Sequence, residues 1–172
     1  MECRAILKIK NSLKKDFSTY WSKMLNTDNT KGKLGTNKLR TYRLFKQQIC
    51  EEKYLTIAKP SLRKNIAKLQ TSAHKLQIEL GRYDGRNKYI PPANRIYMNC
   101  ALGEMEDEVH FLIKCTKFDN NRKILFDKIA SKNAFFHSYT DTQKLIWLLS
   151  NEDLEDLKNT AVFIEESFKL RN

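Results

Sequence analysis

The sequence predicts a small, mainly α-helical domain, and three observations support this prediction. Glycine (5 residues) and proline (3 residues) are scarce among the 172 residues, so few positions interrupt a helix. Apolar residues make up 41% of the chain, which is enough to build a core and argues against a disordered protein. In several segments apolar residues recur at intervals of three and four, the spacing of one helix face.

We divide the chain into an N-terminal basic amphipathic helix, residues 1–30, and a helical domain, residues 31–172. The apolar positions of the first helix are Ile6, Ile9, Leu13, Phe17, Tyr20 and Met24, with lysines on its outer face. The polar stretch 26–35 contains two glycines and predicts a loop after this helix.

The next segments are expected to be two helices and a short strand. The helix that follows the loop 26–35 can be capped by Thr36 or Asn37. Its inward residues are Leu39, Tyr42, Phe45 and Ile49. The second begins after Pro60, with Leu62, Ile66 and Leu69 inward. Leu76, Ile78 and Leu80 then alternate with polar residues, a period of two that predicts a short strand.

Three more helices are expected after residue 115. Their inward residues are Phe118, Ile124, Leu125, Phe126 and Ile129 in the first, Leu145, Ile146, Leu148 and Leu149 in the second, and Leu154, Leu157, Ala161, Ile164 and Phe168 in the last. Asp141 and Asn151 are the candidate N-caps of the second and third.

The positive charge of the chain is concentrated in its first part. Residues 1–99 hold 22 lysines and arginines against 7 acidic residues, whereas residues 100–172 hold 10 against 13. This asymmetry indicates a surface that faces a polyanion. No apolar run approaches the roughly 20 residues that cross a bilayer, and no basic helix with exposed Trp or Phe stands out. We therefore expect RNA or DNA, bound nonspecifically by charge, rather than a membrane or a small-molecule substrate.

Basic residues are interleaved with aromatic ones in the loop 81–97, where Tyr83, Tyr89 and Tyr97 lie among arginines and lysines. Cations for phosphate and rings for bases are what a single-strand surface requires. The alternative is a surface loop whose tyrosines anchor it to the core. The candidate nucleic-acid-binding residues are Lys38, Arg40, Arg43, Lys46, His74, Lys75, Arg82, Arg86, Lys88 and Arg95.

Segment 96–118 contains Cys100, His110 and Cys115, with nine residues between the first two and four between the last two. This is the closing half of a Cys-Cys-His-Cys zinc site, since thiolate and imidazole suit tetrahedral Zn²⁺. Tyr97 stands where the first cysteine belongs, so we expect a degenerate zinc knuckle in a short irregular or β segment. Water could complete the site, Glu104 or Glu106 could supply an oxygen, or zinc could have been lost. Cys3 and Cys50 are interpreted as small buried hydrophobes.

Several segments together resemble the C-terminal region, after the polymerase domain, of animal non-LTR (LINE-type) retrotransposon reverse transcriptases. The matching pieces are Lys38–Lys46, Glu52–Leu55, Ser72–Tyr83, Glu106–Leu112 with Cys115, and Arg122 with Leu125-Phe126. The resemblance implies a non-catalytic nucleic-acid-binding tail whose Cys-x-x-Cys…His-x4-Cys ligands fall on Cys100, His110 and Cys115. Tyr97 replaces the first ligand, and Gln70 stands where the family often has Arg.

Enzyme signatures are missing from the sequence. Polymerase chemistry needs clustered aspartates for two metal ions, but the acidic groups at 104–108 and 152–156 suit caps and surface charges. A hydrolase built on Ser72 and His74 lacks a third orienting residue, and His74 suits a structural role or a phosphate contact. We therefore expect an intracellular (nuclear or cytoplasmic) binding module. The alternative is a folded transposon-derived remnant with no retained activity.

Overall fold

The computed structural model describes residues 4–26, 39–46 and 49–171, and within these ranges it is mainly helical. Its α-helices are α1 Arg4–Asn26, α2 Pro60–Gln70, α3 Gln77–Leu80, α4 Asp119–Ala130, α5 Asp141–Ser150 and α6 Leu154–Arg171. Strand pairing in the described residues is limited to two isolated antiparallel bridges, Tyr83 with Tyr89 and Ile96 with Met105. The predicted mainly helical fold with a short irregular or β segment is confirmed.

Helix α6 is the centre of the domain, because α2, α4 and α5 all pack against it. Leu157, Ala161 and Ile164 are its fully buried apolar residues, at the positions predicted to face inward. The three predicted inward residues of α2 are buried as well. Each large apolar side chain buried in this way contributes about 1.5–3 kcal/mol. One continuous core therefore joins the second half of the chain to α2.

The predicted strand at 76–80 is instead one turn of helix, α3. The amide of Gln77 donates to Glu106 Oε2 at 2.8 Å, and the amide of Ile78 donates to the Glu106 carbonyl at 3.0 Å. A distant residue thus satisfies the free amides at the start of this short helix. The period of two was misleading, since Leu76 and Ile78 are buried but Leu80 is 56% exposed.

The N-caps of α5 and α6 are close in sequence to the predicted caps, Asp141 and Asn151, but are different residues. Thr140 caps α5 through a capping box with Gln143, and Asp141 is the first helical residue. At α6, Asp153 Oδ1 accepts from the amides of Glu155 and Asp156 at 2.8 and 3.1 Å. Asn151 instead accepts from the Asp153 amide at 3.0 Å, so it shapes the turn before the helix.

The predicted N-terminal helix is confirmed as α1, but its apolar stripe faces solvent. The six apolar residues named above are 40–63% exposed, and Leu25 is the buried residue near the end of the helix. Phe17 is 57% exposed, so α1 is a basic helix with an exposed Phe. This differs from the expectation that no such helix stands out. None of the helices in the described ranges is both long and apolar enough to cross a bilayer.

Among the described residues of the helix expected around 39–49, the helical part is one 3₁₀ turn, Tyr42–Leu44. Lys46 pairs with Glu52, and its Nζ donates to the Cys50 carbonyl at 2.8 Å. Ile49 is 48% exposed rather than inward. The candidate caps Thr36 and Asn37 lie outside the described residues.

Candidate metal centre and nucleic-acid interface

The structure brings Cys100, His110 and Cys115 together. Their sulfur and ring nitrogen atoms all lie within 4.8 Å of one another, so the three side chains can hold a metal ion. All three are buried, with exposed fractions of 8%, 1% and 0%. The sequence spacing therefore predicted a real spatial cluster.

Cys100 lies in a turn closed by the bridge between Ile96 and Met105. The Cys100 amide donates to the Tyr97 carbonyl at 3.2 Å, which curls the chain so that the thiol points back into the fold. Gly103 closes the turn with φ of +63°, a conformation that glycine adopts without the strain of a side chain. This turn delivers the first ligand to the cluster.

His110 and Cys115 are the two ends of a π-helical turn, His110–Lys114. The Cys115 amide donates to the His110 carbonyl at 2.7 Å, and Asp107 Oδ1 accepts from the His110 amide at 2.8 Å. π-turns are rare and occur frequently at functional sites. Arg122 holds the end of this turn, because its guanidinium donates to the carbonyls of Leu112 and Cys115 at 3.0 and 2.5 Å. Arg122 is thus a supporting residue that the ligand pattern did not reveal.

The surroundings of the three donors favour a metal. Both ring nitrogens of His110 are buried without a hydrogen-bond partner in the described part of the chain, which is unusual for a buried polar group. Burial lowers the pKa of His110, so the imidazole is neutral and has a free lone pair. A metal ion at this point would satisfy one of these orphaned nitrogens.

The two thiols accept similar hydrogen bonds but differ in acidity. Each sulfur accepts from the amide two residues further on, Leu102 for Cys100 and Lys117 for Cys115. Burial opposes ionisation of Cys100, yet the amides of Leu102 and Thr116 bring its pKa below the usual value. Burial raises the pKa of Cys115 to about 11. Amide donors aimed at sulfur favour the thiolate form that binds metals.

Tyr97, which stands at the position of the first cysteine, and the two glutamates considered as a fourth ligand all contact other residues. The Tyr97 hydroxyl donates to the Arg171 carbonyl at 3.2 Å and accepts from Lys117 Nζ at 3.1 Å. Glu106 forms a two-point ion pair with Arg171, and Glu104 lies 3.6 Å from Lys114 Nζ. The metal-binding cluster found among the described residues therefore consists of three donors.

A buried polar cluster centred on Glu108 contains two of the candidate nucleic-acid-binding residues, Arg40 and His74. Glu108 Oε1 accepts from Ser72 Oγ at 3.1 Å, His74 Nε2 at 2.7 Å and Arg40 Nη2 at 2.7 Å. Burial alone would raise the pKa of Glu108, but the hydrogen bond from His74 and the charge of Arg40 hold it at about 2. Ser72 and His74 thus each donate to Glu108, which is the geometry of a structural anchor.

The acidic segment 104–108 differs from the caps and surface charges that we expected. Asp107 is indeed a cap, but Glu106 and Glu108 are buried, with exposed fractions of 0% and 2%. In the second acidic segment Asp153 caps α6, while Asp156 is 2% exposed and accepts from Lys132 at 3.1 Å. Buried carboxylates of this kind are stable because each has a cationic or hydrogen-bonding partner.

Three more of the candidate cations form internal contacts. Arg82 pairs with Glu79, which also binds Arg40. Arg95 is 2% exposed and donates to the carbonyls of Ile78 and Ile90 at 2.6 and 2.8 Å. Lys46 is buried beside Glu52, as described above. The guanidinium groups of Arg82 and Arg95 and the ammonium group of Lys46 therefore stabilise the fold and are not available to contact phosphate.

The remaining candidates lie on the surface. Lys75, Arg86 and Lys88 are exposed, Arg43 is half-buried, and Lys38 lies outside the described residues. Asp84 Oδ1 shapes the basic loop by accepting from the amides of Arg86 and Lys88, both at 2.9 Å. Of the loop tyrosines, Tyr83 is 56% exposed and Tyr97 is 4% exposed. The loop thus combines an exposed aromatic residue with one that anchors it to the core.

Sequence reasoning missed a basic cavity of about 300 Å³ between α2 and the end of α6. Its lining residues are Asn65, Lys68, His74, Lys75, Glu165, Phe168, Lys169 and Arg171. Only His74 and Lys75 were among the candidates. The others lie about a hundred residues apart in the chain, and no local pattern links them.

Two other expectations are revised. Cys50 is exposed rather than a buried hydrophobe, and Cys3 lies outside the described residues. Gln70 is fully buried and donates to the Leu149 carbonyl at 2.8 Å. Gln70 therefore forms a hydrogen bond inside the core. Because the position is buried, glutamine in place of arginine removes no cation from the surface.

Comparison of the chain with known protein families, curated proteins and solved structures found no match.

Proposed function

We propose that this chain is a non-catalytic nucleic-acid-binding module, similar in role to the tail of a retrotransposon reverse transcriptase. The observation that supports this proposal is the exposed basic surface. Within the described residues, the side chains of Lys75, Arg86 and Lys88 form no ion pair with an acidic residue, although acidic side chains pair with cations elsewhere in the fold. Unpaired cations of this kind are what a protein needs to neutralise phosphates.

We further propose that Zn²⁺ is the metal held by Cys100, His110 and Cys115, with water in the fourth position. Two sulfurs and one neutral imidazole form a donor set that suits zinc better than magnesium or calcium. Bound zinc would supply a cross-link between the Cys100 turn and the π-helical turn. The residues themselves provide the preformed amide donors and the orphaned imidazole described above.

The alternative function, a folded remnant with no activity, is favoured by one observation. The phenol of Tyr97 fills its site with two hydrogen bonds and a cation–π contact, with the Arg171 guanidinium 5.0 Å from the ring centre. Where the zinc pattern has a cysteine, this chain has a tyrosine that packs in the core and links the segment to Arg171 and Lys117. Such a domain would be stable without binding anything.

Fluorescence anisotropy with a labelled single-stranded RNA and a duplex DNA, titrated at several salt concentrations, tests the proposal. The logarithm of the affinity should fall with the logarithm of salt by about 0.7 per contact for single strands and about 0.9 for duplex. Arg86→Ala with Lys88→Ala should reduce the single-strand slope by about 1.4. Lys123→Ala with Lys128→Ala, on the exposed side of α4, is the charge-matched control. Absence of binding at low salt by the folded protein would favour the remnant.

A further inference from the structure

The basic cavity lies between α2, the loop after it and the end of α6, which packs against α2. Asn65 Nδ2 donates to the Ala161 carbonyl at 3.3 Å, and Lys59 Nζ lies 3.4 Å from Glu165 Oε2, which fixes α2 against α6. His74 and Lys75 close one wall. Among the lining residues His74 is buried, Lys75 and Lys169 are exposed, and the others are half-buried.

The charge of this cavity is strongly positive. Four of its lining residues are cations and one, Glu165, is acidic. Glu165 already faces Lys59, while Lys169 and Arg171 pair with Glu166 and Glu106 outside the lining. Among the described residues, neither Lys68 nor Lys75 has an ion-pair partner. These two ammonium groups are available for an anion that enters the cavity.

The cavity also contains an aromatic ring. Phe168 is half-buried, and Phe111 stacks on it with a centroid distance of 4.7 Å and an interplanar angle of 28°. This stacking fixes the orientation of the ring. An aromatic ring held beside lysines is the combination that binds a base and its phosphate together.

We propose that the cavity binds one nucleotide of a single-stranded nucleic acid. Its phosphate lies between Lys68 and Lys75, and its base packs against Phe168. This inference rests on the proposed function and deepens it, because it assigns single-stranded rather than duplex nucleic acid as the ligand. A base in a duplex is stacked and paired and cannot enter a cavity, whereas an unstacked base of a single strand can.

The test compares 5′-phosphorylated hexauridine RNA with a duplex DNA of equal charge. The variant Lys68→Glu leaves the exposed cations Lys75, Arg86 and Lys88 in place. It should weaken single-strand binding about tenfold beyond the control Lys123→Glu. Duplex binding should fall equally in both variants, because neither one changes the exposed basic surface of the proposed function. Phe168→Leu should weaken single-strand binding at least about fivefold, because one stacking contact is lost.

Phe168→Leu also alters the core, so a measurement on the unmodified protein accompanies it. Amide NMR shifts on titration with uridylyl dinucleotide carrying a 5′-phosphate should change at Lys68, Lys75 and Lys169. If RNA binds but the cavity variant equals its control, the cavity inference fails while the proposed function stands. Equal loss of single-strand and duplex binding beyond the control would also overturn it. If neither nucleic acid binds the folded protein, both proposals fail.

Discussion

Arg171 and Glu106, which are 65 residues apart, form a two-point ion pair with both N–O distances at 2.9 Å. The Glu106 side chain is 1% exposed, and the Arg171 guanidinium also lies over the ring of Tyr97. The last residue of α6 is thereby bound to the segment that carries Cys100 and His110. The end of α6 thus helps to hold the metal-binding cluster in place.

Arg171→Ala should destabilise the protein by about 3 kcal/mol, because it leaves the buried Glu106 carboxylate without its cation. Urea denaturation followed by circular dichroism measures the change. Lys169→Ala removes an exposed pair on the same helix and should change stability little. A loss no larger than that of this control would show that Glu106 does not depend on Arg171.

Zinc binding should depend on the clustered cysteines and not on the exposed one. Protein prepared with zinc should retain one equivalent after gel filtration, and substitution with Co²⁺ should give thiolate-to-metal charge-transfer absorption. Cys100→Ser or Cys115→Ser should abolish both signals, whereas Cys50→Ser should leave them unchanged. Retained zinc in both cluster variants would contradict the assignment.

The apparent metal affinity should rise with pH. The pKa of Cys115 is about 11, so at neutral pH the thiol is protonated and metal must displace that proton. The affinity should therefore increase at least about tenfold per pH unit between pH 6 and 8. Competition with a chelator of known pH dependence measures the slope. A flat profile would indicate that Cys115 is not a ligand.

Stability should fall in acid because of Glu108. Its pKa is about 2 in the folded protein against 4.5 ordinarily, so the carboxylate stabilises the fold above pH 4.5. This contribution, about 3 kcal/mol for a shift of that size, is lost as the pH falls through 4.5 towards 2. Urea midpoints measured from pH 6 to 3 should show the decline. Glu108→Gln should lower stability at pH 6 and flatten the profile; an unchanged slope would contradict this role.

Helix α1 should be the least protected helix in hydrogen exchange. Its apolar stripe is solvent-exposed, and helices gain most of their stability from packing of such a face. Peptides covering residues 4–26 should exchange much faster than peptides covering residues 154–171, as measured by mass spectrometry. Equal protection of the two would show that the stripe is covered in solution, and a concentration series would then test self-association.

The sequence determined the helical class and much of the core. Spacings of three and four identified α2, α4, α5 and α6 because a helix face must be apolar to be buried. The spacing of Cys100, His110 and Cys115 likewise predicted the cluster, since few residue types bind zinc.

Tertiary structure alone decided which charges are on the surface. Glu106 and Glu108 are buried and Glu79 is half-buried. Glu106 pairs with Arg171, and Glu79 and Glu108 both pair with Arg40, across long sequence distances. The order of basic residues along the chain cannot show which of them will pair with a buried carboxylate and which will remain on the surface. The cavity follows from the same cause, because it exists only where α2 packs against α6 and brings Lys68 and Phe168 into one lining. Local spacing determines helices, whereas the pairing of distant residues determines which surface remains to bind a partner.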